Sequence, residues 1–512
     1  MSSVDPSWPA PQNPKHRPHR VAYAFAVVMP IVLLVALALP AGIALNLWRL
    51  RSPAPPEVTP TPGTGQADEG QPGVGDPYYP DYGSSGYDAL KYTISLSWDP
   101  RSQAITATTV IRARATQTLA AFYFDLALTT DRVLVDGRAA GFEHSGFQDV
   151  RVTPAVPIET GAEFSVTVDY SGVPGSIKRG STSGWWQTKQ EWTAAGEPES
   201  SVWWFPANDH PSDPALTDVS IRVPAELQAI SGGRLESRDS TTEADFDTWH
   251  WVSDQPMATY LTFVSIGRYQ LQEGEVDGRP YVYAVSRQLS TADRRKAFAE
   301  LQRSGEIVRT LESLFGPYPF AELGGVVPAH DLWFDGLETQ TRPVYKAESI
   351  VSDFSTGLIA HELAHMWFGD NVTMRRWDDI FTNEAYASWA QWGYTERTGG
   401  RSANDALNAL YDRAKDRDAF WRVTMIDPGR EHLFDTVYSR GPMALQALRN
   451  VIGDQAFQTL NRRWAQRAGT RSLEEWMVMA QSQTRVDLGP FFQSWIYAPT
   501  RPERTAANGF RG

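Results

Sequence analysis

The hydrophobic period of this chain changes once, and that change sets the class of fold it can adopt. From about Tyr87 to about residue 270, YDALKYTISLSWDP, QAITATTVIRARA, AEFSVTVDYSG, LTDVSIRVP and ATYLTFVSIGRYQLQ alternate apolar and polar residues between turns. A period of two puts one set of side chains on one face of a strand, so these stretches predict an antiparallel, sandwich-like β domain. Beyond Ser290 the spacing becomes helical. TADRRKAFAELQRSGEIVRTLESLFG is amphipathic and stops at Gly316-Pro317. A short β-like stretch around ELGGVVPAH follows, and helices then dominate to about residue 498. The fold class is multidomain α+β, without internal repeats.

The N-terminus has a different character. Residues 1–20 form a basic tail with Lys15, Arg17 and Arg20 against Asp5, and Val21 to Trp48 follows without a charge. A bilayer core needs about 20 apolar residues, whereas a signal-peptide core is about 7–15. The expectation is a transmembrane anchor over 21–48, with the lipid bilayer as a partner and a cleaved signal, around Ala36-Leu37-Ala38, as the alternative. Arg49 and Arg51 flank the far end, so the charge bias is small. The expected arrangement is single-pass in the cell membrane, N-terminus inside and the bulk of the chain outside. Residues 49–86, rich in Pro, Gly and acid, read as a disordered linker.

Composition narrows the chemistry. The 512 residues carry a net charge of −13 and no basic cluster, which argues against a nucleic-acid partner. Cysteine is absent, so any metal must be held by His, Asp or Glu.

HELAHMWFGD, residues 361–370, supplies such ligands. Ser355 or Thr356 can cap a helix running to about Phe368. On it His361 and His365 lie one turn apart on one face, able to aim at one zinc ion, with Glu362 beside them as a base for water. A second helix, DIFTNEAYASWAQWGYTERTG, can start at Asp378 or Asp379 and carries Glu384. Packed antiparallel, it completes a His2Glu set and leaves one position open.

HExxH, eighteen intervening residues, then Glu within WDDIFTNEAYA resembles the M1 (gluzincin) zinc aminopeptidases, the family of aminopeptidase N and leukotriene A4 hydrolase. FGPYPF at 315–320, WFPANDHPSDPAL at 204–216 and FFQSWIYAPTRP at 491–502 extend the resemblance over about 87–500. It implies a saddle-like β domain over 87–270, a thermolysin-like catalytic domain over 271–500 and a C-terminal tail over 501–512. It also implies one zinc on His361, His365 and Glu384, Glu362 as general base, and Tyr438 of YSRG as oxyanion donor. Glu338 of DGLET, the counterpart of the family's GxMEN motif, and Glu197, nine residues before Pro206, would hold the amino group of a peptide substrate.

The chain departs from the family at Asp335, Leu337 and Thr339 in that motif, at Ala385 after the last ligand and at Gln391 seven residues beyond it. After residue 500 this sequence continues for a short tail only, where the resemblance would lead one to expect the family's large C-terminal helical domain. The expected function is a membrane-anchored zinc aminopeptidase acting on peptides. The alternatives are an endopeptidase or other zinc hydrolase with an open cleft, or a non-catalytic peptide-binding relative. Oligomeric state is not legible. The tryptophan pairs 185–186 and 203–204 read as core rather than as a subsite.

Overall fold

In the computed structural model, which describes residues 68–180 and 183–511, the strands expected between 87 and 270 form three sheets. The largest has eight strands, in the order Arg234–Asp239, Phe246–Met257, Ala215–Pro224, Tyr87–Asp99, Ala104–Ala115, Glu163–Gly172, Thr129–Val135, Arg138–Ala139. Alternation builds it. Along Tyr87–Asp99, Tyr87 and Ala89 are buried, then Tyr92, Ile94, Leu96 and Trp98. The buried set changes from odd to even positions because the register slips between Ala89 and Lys91, where one extra residue bulges. Two four-stranded sheets complete the β region, and Trp185, Trp192, Trp203 and Trp204 bury into its core.

One neighbouring pair in the large sheet is not antiparallel. Leu216–Arg222 runs parallel to Lys91–Ser97. Alternation reports which face a side chain takes and carries no information on strand direction, so the pattern could not reveal it.

From Tyr269 onward a five-stranded mixed sheet begins, ordered Tyr269–Val276, Arg279–Ser286, Leu323–Val327, Val344–Tyr345, Gly336–Leu337. The amphipathic stretch after Ser290 makes two helices, Thr291–Leu301 and Ser304–Phe315. Ser290 caps the first, and Gly316, at φ 94°, ends the second. Further helices cover this sheet and bury a second apolar core that includes Trp367, Trp377, Trp389 and Trp476.

The expected linker ends earlier than residue 86. Asp68–Glu69 pairs as a short strand with Leu119–Ala121, and Tyr78, Tyr79 and Tyr82 are buried. Composition suggested a stalk because Pro and Gly dominate it. Three tyrosines and Asp76 nonetheless find partners in both the β and the helical regions. The tail is likewise anchored by Phe510, which packs on Tyr411 and Trp495.

The charge-free run 21–48 lies outside the described residues. Among the described residues, no helix is long and apolar enough to cross a membrane.

Candidate active site

HELAH lies at the end of the helix Ser355–His365. Leu358, Ile359 and Leu363 bury in the apolar core and so set the rotation of this helix about its axis. No side chain caps its start: Ser355 is already its first residue, and the Thr356 hydroxyl accepts a hydrogen bond from Arg303. The helix stops at His365, and the chain then turns through Gly369, at φ 124°.

Glu384 sits in a five-residue π-helix, Phe381–Ala385, that continues as the α-helix Tyr386–Arg397. Widened turns of this kind re-aim side chains and recur at functional sites. The helix Val437–Ile452 passes so close that a Cβ on Gly441 would lie 2.5 Å from the Ala385 Cβ. Alanine at 385, where the family has glycine, is accommodated because residue 441 has no side chain.

These elements bring His361, His365 and Glu384 together. His361 Nε2 is 3.2 Å and His365 Nε2 3.4 Å from Glu384 Oε2, and one ligand atom from each of the three lies within 4.8 Å of the others. Donors about 2.0–2.1 Å from a tetrahedral zinc stand roughly 3.3–3.4 Å apart, close to this spacing. His365 Nδ1 is 3.0 Å from the carbonyl of Phe368, an acceptor only, so Nδ1 carries the hydrogen and Nε2 turns its lone pair to the site. A nitrogen lone pair and a buried carboxylate oxygen facing each other call for positive charge between them. The residues fit a zinc ion.

Around this set stand four further side chains. One oxygen each of Glu338 and Glu362 lies within 4.8 Å of a His365 nitrogen, and Glu197, Glu338 and Glu384 converge within the same limit. Burial and the neighbouring acids, opposed by His365, raise the Glu362 carboxyl well above its ordinary range. Burial and repulsion from Glu338 likewise raise Glu197, whose Oε1 has no hydrogen-bond partner. Tyr438 tilts its ring toward His361, with centroids 6.0 Å apart. Its neighbour Arg440 is buried and donates to the carbonyls of Trp421, Val423, Ser494 and Ala498, which anchors the start of the helix bearing Tyr438.

The loop before Glu338 crosses directly over Glu362. A Cβ on Gly336 would meet Glu362 Oε1 at 2.3 Å, so any side chain there would displace the Glu362 carboxyl. The departures from the family pattern are absorbed locally. Asp335 accepts a hydrogen bond from Ser349 at 2.6 Å, Leu337 is buried, and Thr339 donates to the carbonyl of Arg342 at 2.8 Å. Gln391 donates to the carbonyl of Gly357 at 3.1 Å, in the first turn of the HELAH helix. Arg342 ties this loop to the β region through the carbonyls of Ser231 and Gly233.

Two neighbours escape sequence reasoning. Tyr260, at the end of the β region, donates to Glu338 Oε1 at 3.0 Å. It lies in an ordinary apolar stretch, MATYLTF, which carries no signal. Asp370 is buried with both oxygens unpartnered, and burial and Glu338 push its pKa well above the carboxylate range. An acid closing the apolar run HMWFG was a signal.

The chain matches the Peptidase M1 N-terminal domain over residues 91–261 and the Peptidase family M1 domain over 303–495. It is 24% identical over 324 residues to aminopeptidase N of Lactococcus lactis subsp. lactis, covering 58% of this chain and 38% of that protein. It is 25% identical over 279 residues to aminopeptidase N of Haemonchus contortus, covering 51% and 28%. The chain thus spans well under half the length of these relatives. The fold is shared with an M1 zinc metallopeptidase from Deinococcus radiodurans, with a TM-score of 0.75 and 24% identity over 84% of this chain and 98% of that one. A mutant of the same metallopeptidase, bound to a Tyr-Ser-Ala substrate, aligns with a TM-score of 0.75 at 23% identity, covering 85% of this chain and all of that one.

Proposed function

The chain belongs to peptidase family M1, and from that premise we propose that it is a zinc aminopeptidase removing N-terminal residues from peptides. The observation that carries this reading is the convergence of Glu197 and Glu338, two buried carboxylates, beside the His361, His365 and Glu384 set. Zinc held by those three would make water nucleophilic near neutral pH and polarise the scissile carbonyl. Glu362 then accepts the proton of the attacking water and passes it to the leaving amine. Tyr438 donates a hydrogen bond to the developing oxyanion. Glu197 and Glu338 hold the α-ammonium through charge-assisted hydrogen bonds, so the bond cut is the first in the peptide. Burial raises both carboxyls above their ordinary range, and a substrate's ammonium group would favour their ionised form.

An α-amino group has a pKa near 7.7–8.0 and is largely charged at pH 7. Acetylating it removes the charge. Hydrogen bonds to charged groups contribute roughly 1.5–3 kcal/mol each, so kcat/KM should fall by at least about tenfold on acetylation. Zinc-loaded protein assayed on matched free and N-acetylated aminoacyl substrates tests this. Equal cleavage of both, with internal bonds cut, would replace the reading by an endopeptidase and leave the zinc chemistry standing.

The charge-free run 21–48 supports a further part of the proposal: a single-pass anchor in the cell membrane, with the catalytic region outside the cytoplasm. A cleaved signal is the competing reading.

A further inference from the structure

We infer that Tyr260 is a positioning residue for α-amine recognition, acting through Glu338; the inference rests on the aminopeptidase reading above. Tyr260 occupies a one-turn 3-10 helix, Thr259–Leu261, and is 1% exposed. Its hydroxyl donates to Glu338 Oε1 at 3.0 Å, and among the described residues it is the one side chain that hydrogen-bonds Glu338. The ring cannot swing away. It lies against Trp377 with centroids 5.6 Å apart, and the Trp377 backbone N–H is itself held by Asp76 at 2.8 Å.

Glu338 needs such a tether because the metal site lies within its reach. It groups with Glu197 and Glu384 and also with Glu362 and His365, one ligand atom from each lying within 4.8 Å of the others. Swung toward His365, it would be drawn into the metal site and lost to the substrate. A phenol bonded to Oε1 pins one oxygen and leaves Oε2 to face the incoming ammonium beside Glu197. Among the described residues the Tyr260 hydroxyl hydrogen-bonds Glu338 and none of His361, His365 or Glu384, so its removal should act on amine binding rather than on bond cleavage.

Binding is read without turnover in the zinc-loaded Glu362→Gln protein, titrated calorimetrically with L-leucinamide and with N-acetyl-L-leucinamide. Tyr260→Phe should weaken leucinamide binding about tenfold, the scale of one hydrogen bond to a charged group, and leave the acetylated ligand unaffected. In the protein with Glu362 intact, Tyr260→Phe should raise KM for free-amine substrates by about the same factor, with kcat within about threefold and zinc content unchanged. A double-mutant cycle separates positioning from general damage: once Glu338→Gln is present, Tyr260→Phe should weaken leucinamide binding no further. Additive losses in that cycle, or undiminished leucinamide affinity in Tyr260→Phe, would overturn the positioning role. If the protein with Tyr260 intact does not distinguish leucinamide from its acetylated form, the aminopeptidase reading itself fails, and the role of Tyr260 with it.

Discussion

The Asp76 carboxylate accepts the backbone N–H of Trp377 at 2.8 Å, joining residues 301 positions apart. The same oxygen lies 3.2 Å from His210 Nε2, and the other accepts the N–H groups of Tyr78 and Tyr79 at 2.8 and 3.0 Å. Burial opposes this charge, but His210 and the three N–H groups outweigh it and hold the carboxyl below its ordinary range. One side chain thus links residues 76–82, the β region and the turn that leads to Glu384. Asp76→Ala leaves three N–H groups without an acceptor, at about 1–3 kcal/mol for each that stays buried. Thermal denaturation should show a clear drop in Tm, and a fragment starting at residue 87 should be less stable than one starting at 68. Equal Tm values for the two fragments would mean that the segment only lies along the surface.

Metal analysis of a purified fragment starting at residue 68 should find about one zinc per chain, as a three-ligand catalytic site requires. Glu384→Ala should surrender the metal to chelators more readily than the unaltered protein. Finding no stoichiometric metal in undamaged protein would remove the proposed mechanism.

Glu362 and Tyr438 separate base from oxyanion donor. Glu362→Gln keeps every ligand, so it should retain zinc and fold while losing nearly all turnover. Tyr438→Phe should lower kcat by about 10²–10³, the scale for one oxyanion donor. Near-normal kcat in that variant would assign the oxyanion to another group.

Glu199 predicts a pH dependence of stability. Burial, only partly offset by Arg179, pushes its carboxyl up from 4.5 to about 7. Between these values the folded chain keeps the proton and the unfolded chain has released it. Unfolding therefore releases a proton, and this group's contribution to stability falls as pH rises from about 4.5 to about 7. Glu199→Gln, neutral at every pH, should flatten that part of the Tm profile. An unchanged slope would mean that Glu199 titrates near its ordinary value.

Full-length protein should stay with membranes through an alkaline carbonate wash, and deletion of residues 1–52 should release it. A mature N-terminus near Leu39 would favour a cleaved signal instead.

The features legible in the sequence were those set by local spacing. Two histidines four apart must share a helix face, so His361 and His365 could be paired before any coordinates. Alternation from Tyr87 and helical spacing from Ser290 separated a β region from a helical one. Glu384 was read from its spacing after HELAH, and Glu338 from the likeness of DGLET to the family's GxMEN motif.

Tertiary structure alone decided what depends on residues far apart. Side-chain period is the same in both strand directions, so the parallel pairing of Leu216–Arg222 with Lys91–Ser97 had no local trace. Pro and Gly around Tyr78 and Tyr79 looked like a stalk because composition counts apolar content within a segment and cannot see partners outside it. Tyr260 reaches Glu338 across 78 positions, and Asp76 reaches Trp377 across 301. Such hydrogen bonds depend on the packing of both cores, since packing, not spacing, brings their donors and acceptors to within about 3 Å.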